Sequence, residues 1–264
     1  MEFHTPVLLQ PAIKLLDIQK DKIYIDATLG NGGHTLEILK QGAIVFGIDQ
    51  DPTNLNLASQ RIKEAGFSSR FHPLHGNFSD LKKIISQNIN QSVSGILFDL
   101  GLSSNQLTAE NRGFSFNDNL SLDMRLDPQT QDLTAEEIIN TYPFDELYLI
   151  FSRYAQEVYS KPIILRIISQ RQKKPIKSAG RLADIIRDYY RERHIKSDID
   201  PSTKVFMALR MYVNDELNNL NSVLEQTLDL PAARVCIITF HSGEDRLVKR
   251  FIQIQSAKKT IKTL

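Results

Sequence analysis

The feature that most constrains this chain is the passage Asp26-Ala27-Thr28-Leu29-Gly30-Asn31-Gly32-Gly33-His34, set between a short apolar run and a helical pattern. Residues 22–28 read as a buried strand ending in a carboxylate and its turn, and Leu36 and Leu39 follow at helical spacing. Glycines at such a turn let a ligand or a neighbouring element approach the backbone without meeting a Cβ. Residues 43–48 predict a second strand closed by Asp49, and Asp51-Pro52 opens a helix through Leu55, Ala58 and Ile62. Ser94 to Phe98 predict another buried strand, again ending in a carboxylate, Asp99. This rhythm is that of an α/β chain with a Rossmann-like, doubly wound parallel sheet.

The rhythm stops after Asp99. Residues 105–200 carry helical patterns (134–141, 145–154, 163–172 and 181–193) separated by turn-formers and prolines, which predicts an inserted helical domain. From Thr203, apolar residues recur at three and four through Phe206, Leu209, Val213, Leu217, Leu220, Leu224 and Leu228, predicting one long amphipathic helix. Residues 234–240 predict the strand that returns to the sheet. The expected organisation is therefore a sheet domain in two parts, 1–104 and 201–264, around an insertion at 105–200.

Composition sets limits on function. No apolar run nears the roughly 18 residues of a membrane span, so no membrane partner is expected. The single cysteine, Cys236, excludes disulfides within the chain and thiolate-bound structural zinc, and a reducing cytoplasm is the expected setting. The net charge of +1 conceals a segregation: from Asp99 to Glu157, 11 acids face 3 arginines (net −8), and from Lys161 to Lys196, 11 bases face 3 acids (net +8). From Arg246 onward there are 6 bases and no acid. Such a stripe suits phosphate binding, with a solvated helix face as the competing reading.

A dinucleotide fingerprint would read G-x-G-x-x-G/A, but counting from Gly30 its third glycine position holds Thr35. Asp49, at the end of the next strand, is placed for ribose hydroxyls, and Asp26 is placed to face an ammonium group. An adenosine carrying a zwitterionic amino acid and no phosphate, S-adenosylmethionine, suits this set better than NAD. His241-Ser242 lacks the G-x-S-x-G turn of a serine nucleophile, and no H-E-x-x-H pairing occurs, so no catalytic metal is expected.

From His4-Thr5-Pro6-Val7-Leu8 to about Phe251 the sequence also resembles the RsmH (MraW) family of methyltransferases. The resemblance rests on Asp26-x-Thr28-x-Gly30-x-Gly32-Gly33-His34, Asp49-x-Asp51, His75-Gly76-x-Phe78 and Asp99-Leu100-Gly101-x-Ser103-Ser104-x-Gln106-Leu107. It continues through Arg112-Gly113-Phe114-Ser115-Phe116, Leu122-Asp123-Met124-Arg125, Ala208-Leu209-Arg210, Val213-Asn214-Asp215-Glu216-Leu217, Phe240-His241-Ser242 and Glu244-Asp245-Arg246. The resemblance implies methylation of N4 of a cytidine in the decoding region of small-subunit ribosomal RNA, free or in the assembled subunit, with S-adenosylmethionine as donor. It also implies that Gly32, Gly33 and His34 form the cofactor turn. Asp49 would hold the ribose, Phe78 would neighbour the adenine, and Asp99 and Gln106 would make contacts beside the methionine end and the adenine. Phe78 and Gln106 taken alone read as core filler and loop surface.

Asp99 is the expected catalytic acceptor, because a cytosine amine whose lone pair is delocalised into the ring needs help in releasing a proton. Many amino methyltransferases place Pro-Pro-aromatic after the corresponding acid, whereas this chain has Leu100-Gly101-Leu102. Phe114 or Phe116 is then a candidate stacking face, with core anchoring as the alternative. The chain departs from the family at Ala155-Gln156-Glu157 (usually Gly-Glu-Glu) and at Gly243 (usually leucine). It also has a shorter tail, in which Ser256-Ala257-Lys258 resembles a remnant of a terminal strand. Two other function classes remain: a non-catalytic RNA-binding or assembly protein on the same fold, and an NAD-dependent oxidoreductase.

Overall fold

The structure is a computed structural model that describes residues 5–109, 111–230 and 233–263; His4 of the family motif and Glu110 of the acidic stretch lie outside them. In chain order the elements are α1 (Leu9–Leu16), β1 (Ile23–Asp26), α2 (Gly33–Lys40), β2 (Ile44–Asp49), α3 (Pro52–Glu64), β3 (Phe71–His75), α4 (Leu81–Asn88) and β4 (Val93–Asp99). There follow α5 (Ser104–Thr108), α6 (Ala135–Thr141), α7 (Phe144–Ala155), α8 (Ser160–Lys173), α9 (Ala179–Glu192), α10 (Thr203–Val213), α11 (Glu216–Thr227), β5 (Arg234–Ile238) and α12 (Ser242–Ala257). The chain forms two compact units, 1–104 with 217–264, and 105–216.

The first unit is a parallel sheet of order β3-β2-β1-β4-β5. Alternation along its strands sends side chains to two cores. Ile23, Ile25, Ile96 and Phe98 pack with Leu81 and Ile84 of α4, Leu220, Val223 and Leu224 of α11, and Val248 of α12. Tyr24, Val45 and Leu97 point the other way, onto Leu16 of α1, Ile38 and Leu39 of α2, and Ala58 and Ile62 of α3. Helices therefore cover both faces, as a doubly wound sheet requires. Asp51 caps α3 by accepting from Thr53 N–H at 2.9 Å, with Pro52 in the first helical position.

The structure departs from the sequence expectations at four points. β3 was not anticipated: it is an edge strand in which only Phe71 is buried, so it lacks an apolar run, and its Pro73 is tolerated because an edge needs no second ladder. The long helix expected from 203 is two helices, α10 and α11. Asp215 adopts a left-handed φ of 50°, and the Asn214 amide leaves the helix pattern to bond Leu126 N–H and Met124 C=O at 2.8 Å each. The second unit boundary accordingly falls at 216/217 and not at 200/201. Ser256 and Ala257 are not strand but the last turn of α12, which runs on because Val248, Phe251 and Ile252 hold it on the sheet.

The second unit is helical, and among its described residues no strand occurs. Its core includes Ile138, Leu147, Ile150, Phe151, Ile163, Ile167, Leu182, Ile186 and Leu209. Two motif loops interlock beneath it. Met124 N–H donates to Arg112 C=O at 2.8 Å, and the Arg112 guanidinium donates to the carbonyls of Arg125 and Leu126 at 3.0 and 3.2 Å. Asp118 accepts from the N–H groups of Gly113, Leu120 and Ser121 at 2.8, 2.9 and 3.1 Å. Gly113 has φ 74°, and a Cβ there would lie 2.6 Å from Asp123 N and 2.8 Å from Leu122 Cα. Gly113→Ala therefore combines left-handed strain with a clash against backbone, and should cost more than about 2 kcal/mol in urea denaturation. A loss below about 0.5 kcal/mol would show that the crossing of the loops is loose.

Candidate active site at the sheet switch point

The strand order reverses between β1 and β4, which opens a crevice beyond their carboxyl ends. Asp26 closes β1, Asp99 closes β4 and Asp49 closes β2, so adjacent strands deliver all three carboxylates to one edge. The turn after β1 is built around two of them. Asp26 accepts from Thr35 Oγ1 at 2.7 Å; Asp49 accepts from Gly30 N–H at 2.8 Å, from Asp51 N–H at 2.8 Å and from Asn54 Nδ2 at 3.0 Å. Thr28 Oγ1 accepts from Asp99 N–H at 2.6 Å, tying the turn to the end of β4.

The glycines serve the turn from behind. Gly30 and Gly32 have φ of 49° and 70°. A Cβ on Gly32 would lie 3.1 Å from Ala58 Cβ, and one on Gly33 would lie 2.3 Å from Pro6 Cγ. Their small size thus lets α3 and the amino-terminal segment close on the turn. The helix that follows, α2, has Gly32 as N-cap with no side-chain cap, so its first N–H groups suit an anion such as a carboxylate.

His34 is 4% exposed, with Nδ1 3.5 Å from Asp99 Oδ2. Among the described residues Asp99 Oδ1 is buried with no hydrogen-bond partner. A buried carboxylate oxygen left unmatched calls for a donor or a cation from a ligand. Burial, with the Asp26 carboxylate second, pushes the Asp99 carboxyl up to about 7. Burial also takes Asp49 up to about 7 against the pull of its donors, and raises Asp26 against the opposing effects of His34 and Thr35. His34 moves the other way, its imidazolium disfavoured by burial more than Asp26 restores it. The crevice thus holds one buried and two half-buried carboxyls whose ionised forms added positive charge would favour. S-adenosylmethionine fits, because its ammonium and sulfonium supply that charge and its carboxylate suits the start of α2.

These raised values make a stability prediction. A carboxyl that holds its proton longer when folded contributes stability below its unfolded value near 4, and that contribution is lost as pH rises through about 7. The ligand-free protein should therefore lose melting temperature between pH 5.5 and 8. Asp99→Asn should flatten that fall, melting no lower than the parent at pH 8. A variant that melts well below the parent at pH 8 would show Asp99 to be a stabilising ion.

The other expected site residues are placed as follows. Phe78 is half-buried, edge-on to Phe98 at 5.9 Å and packed on the sheet core, so much of its ring is filler. Gln106 is buried on the short helix α5 and belongs to the second unit. Phe114 is 7% exposed with the Arg112 guanidinium over it, and Phe116 is edge-on to Phe206 at 4.8 Å, so both anchor the core of the helical unit. His241 is a helix cap: its Nδ1 accepts from Gly243 and Glu244 N–H at 3.2 and 3.3 Å. Sequence reasoning missed Thr35, Asn54 and Ser103, whose Oγ bonds Asn54 Oδ1 at 3.0 Å. Thr35 carried a signal, as a hydroxyl in the third glycine position nine residues after a buried acid.

The sequence pattern of the MraW methylase family matches residues 1–263. Among curated relatives, "Ribosomal RNA small subunit methyltransferase H" of Carboxydothermus hydrogenoformans is 44% identical over 96% of this chain and 81% of its own. The protein of the same name from Desulfosudis oleivorans is 42% identical over 95% of this chain and 81% of its own. Solved structures match more distantly. An rRNA methylase from Streptococcus thermophilus is 22% identical with a TM-score of 0.30, covering 35% of this chain and 53% of its own. A Streptococcus mutans protein in complex with SAH is 19% identical with a TM-score of 0.32, covering 38% and 56%. Matched along its whole length and sharing over two-fifths of its residues with such relatives, the chain belongs to the MraW methylase family.

Proposed function

We propose that this chain, an S-adenosylmethionine-dependent methyltransferase of small-subunit ribosomal RNA, acts on N4 of a cytidine in the decoding region and works in the cytoplasm. The observation that carries the chemistry is the Asp99 carboxylate, half-buried at the switch point, with its buried Oδ1 unmatched among the described residues. When bound, S-adenosylmethionine supplies an electrophilic methyl group on a sulfonium. Asp49 would hold its ribose hydroxyls, and Asp26 with the start of α2 its amino-acid end. Asp99 then serves the other partner: by accepting an N–H of the exocyclic amine it localises the nitrogen lone pair, and it takes the proton released as the N–C bond forms. A carboxyl titrating near 7 is matched to that task.

Two observations weigh against the other classes. Thr35, in the third glycine position of a dinucleotide turn, is buried and committed to Asp26, where that fingerprint uses a glycine for close packing of helix on strand. An unmatched buried carboxylate oxygen beside the cofactor turn is, for a purely binding protein, a cost without a return. Asp99→Asn should lower single-turnover methyl transfer at least 100-fold while S-adenosylhomocysteine affinity changes by only a few-fold. The parent's rate should fall as pH drops through the Asp99 range, which the cationic cofactor would set below the ligand-free value of about 7. Parental turnover by folded Asp99→Asn, or a modified nucleotide other than a cytidine on mapping, would refute the assignment.

For RNA, the basic stretch of the helical unit divides. Arg166 is paired with Glu192 at 2.6 Å and Arg187 with Asp200 at 2.6 Å; Arg191 is paired with Asp188, and Arg171 donates to Ile139 C=O at 2.7 Å. These hold α8 and α9 in place. Lys173, Lys174 and Lys177 instead stand exposed at the turn between the two helices and are the bases we assign to phosphate. Changing all three to alanine should flatten log K against log salt by about 0.7 for each lost contact on single-stranded RNA, with S-adenosylhomocysteine affinity intact. An unaltered slope would mean that these lysines serve solubility.

A further inference from the structure

Methyl transfer to an exocyclic amine requires the plane of the base to be held, and the chain lacks an aromatic residue directly after Asp99. The two phenylalanines nearest to it in the motif pattern are spent on the core of the helical unit. On the sheet unit, however, Phe240 is the only exposed phenylalanine among the described residues, with 52% of its surface open. It stands just past the end of β5, which pairs with β4 in the register Asp99↔Ile238. The ladder continues beyond the strands, with Leu100 N–H donating to Ile238 C=O at 3.1 Å. Phe240 therefore arrives beside the chain that leaves Asp99, and its ring lies over Gly101: a Cβ built there would sit 3.5 Å from Phe240 Cδ2.

Gly101 has φ 109°, a conformation that favours glycine, and it carries no Cβ between its backbone and the ring. The segment carrying the ring is rigid. Phe240 N–H donates to the buried Glu244 carboxylate at 2.9 Å, while His241 caps α12 and completes a reciprocal capping box with Glu244. An exposed aromatic ring usually costs solubility, and a ring fixed by its backbone at the mouth of a reaction centre loses little further freedom when a base stacks on it. Asp99 and Phe240 together offer an acceptor for the amine and a face for the ring that bears it.

We infer that Phe240 is the stacking platform that positions the target nucleobase against Asp99, supplied by β5 in place of an aromatic following the acid. This rests on the proposed RNA methyl transfer and adds the residue that orients its substrate. Phe240 is a positioning residue, so its effect should fall on the RNA side alone. Phe240→Ala should lower kcat/KM for ribosomal RNA or the small subunit by about 5- to 150-fold, the range of base–aromatic stacking. Phe240→Tyr should restore most of it. S-adenosylhomocysteine affinity and melting temperature should match the parent in both, because the ring is half in solvent.

The chain contains no tryptophan, so Phe240→Trp introduces a lone indole at this position. Its fluorescence should be quenched by a single-stranded oligoribonucleotide bearing the target cytidine in the presence of S-adenosylhomocysteine. Parental kcat/KM in Phe240→Ala, or a loss that Phe240→Tyr does not recover, overturns the proposal, as does an indole that ignores the oligonucleotide at saturating protein. These outcomes are read in protein whose parent methylates ribosomal RNA. A parent with no such activity refutes the proposed function itself, and the platform with it. A parent that methylates a different base leaves the stacking test standing, since every base presents a π-face.

Discussion

Two carboxylates at the ends of neighbouring strands hold the turn on which the site depends. Asp26 binds the Thr35 hydroxyl and Asp49 binds Gly30 N–H, so the loop between β1 and α2 is pinned from both sides. Buried polar groups of this kind are costly unless matched, and the matching makes the turn a single shape. Asp99 stands apart from them. Its backbone is anchored through Thr28, but one carboxylate oxygen has no partner among the described residues. The same edge of the sheet thus holds two acids that brace the turn and a third with an unmatched oxygen, a division set by which donors each can reach.

Charge follows a similar logic in the helical unit. The stretch from Asp99 to Glu157 counts as a block of net −8 along the chain, yet several of its members work locally. Asp118 gathers backbone donors, and although burial pushes its carboxyl up, those N–H groups hold it below the usual range. Asp123 faces Arg125 at 2.7 Å in the same loop. The basic stretch loses several of its arginines to ion pairs and carbonyls, leaving lysines at the α8–α9 turn exposed. A count of charges along a chain overstates a binding face whenever the fold brings opposite signs together, and here it does so on both sides of the ledger.

The glycines show how one residue type carries two explanations. In the sequence, Gly30, Gly32 and Gly33 suggest a cradle for a cofactor. In the structure, Gly32 and Gly33 make room for Ala58 and Pro6, and the cofactor reading rests more on the open start of α2 and on the carboxylates. Both readings require glycine, for different atoms. The packing role explains why the turn sits so close to α3, whose own Asn54 reaches back to Asp49.

What the sequence determined by itself was everything that depends on neighbours along the chain. The strands ending in Asp26, Asp49 and Asp99, the glycine turn, the cap at Asp51 and the helical insertion are all legible, because alternation, helical spacing and turn chemistry are local. Only the tertiary structure decided the rest. The edge strand β3 has no apolar signature because a single face of it is covered. The break at Asn214 arises from bonds to Met124 and Leu126, far away in sequence. Phe114 and Phe240 look alike as letters, and it is packing that buries the first and leaves the second open over Gly101. Which carboxylate lacks a partner, and which ring lies open over Gly101, depends on contacts between β4, β5 and the turn after β1. No period within one segment encodes those contacts.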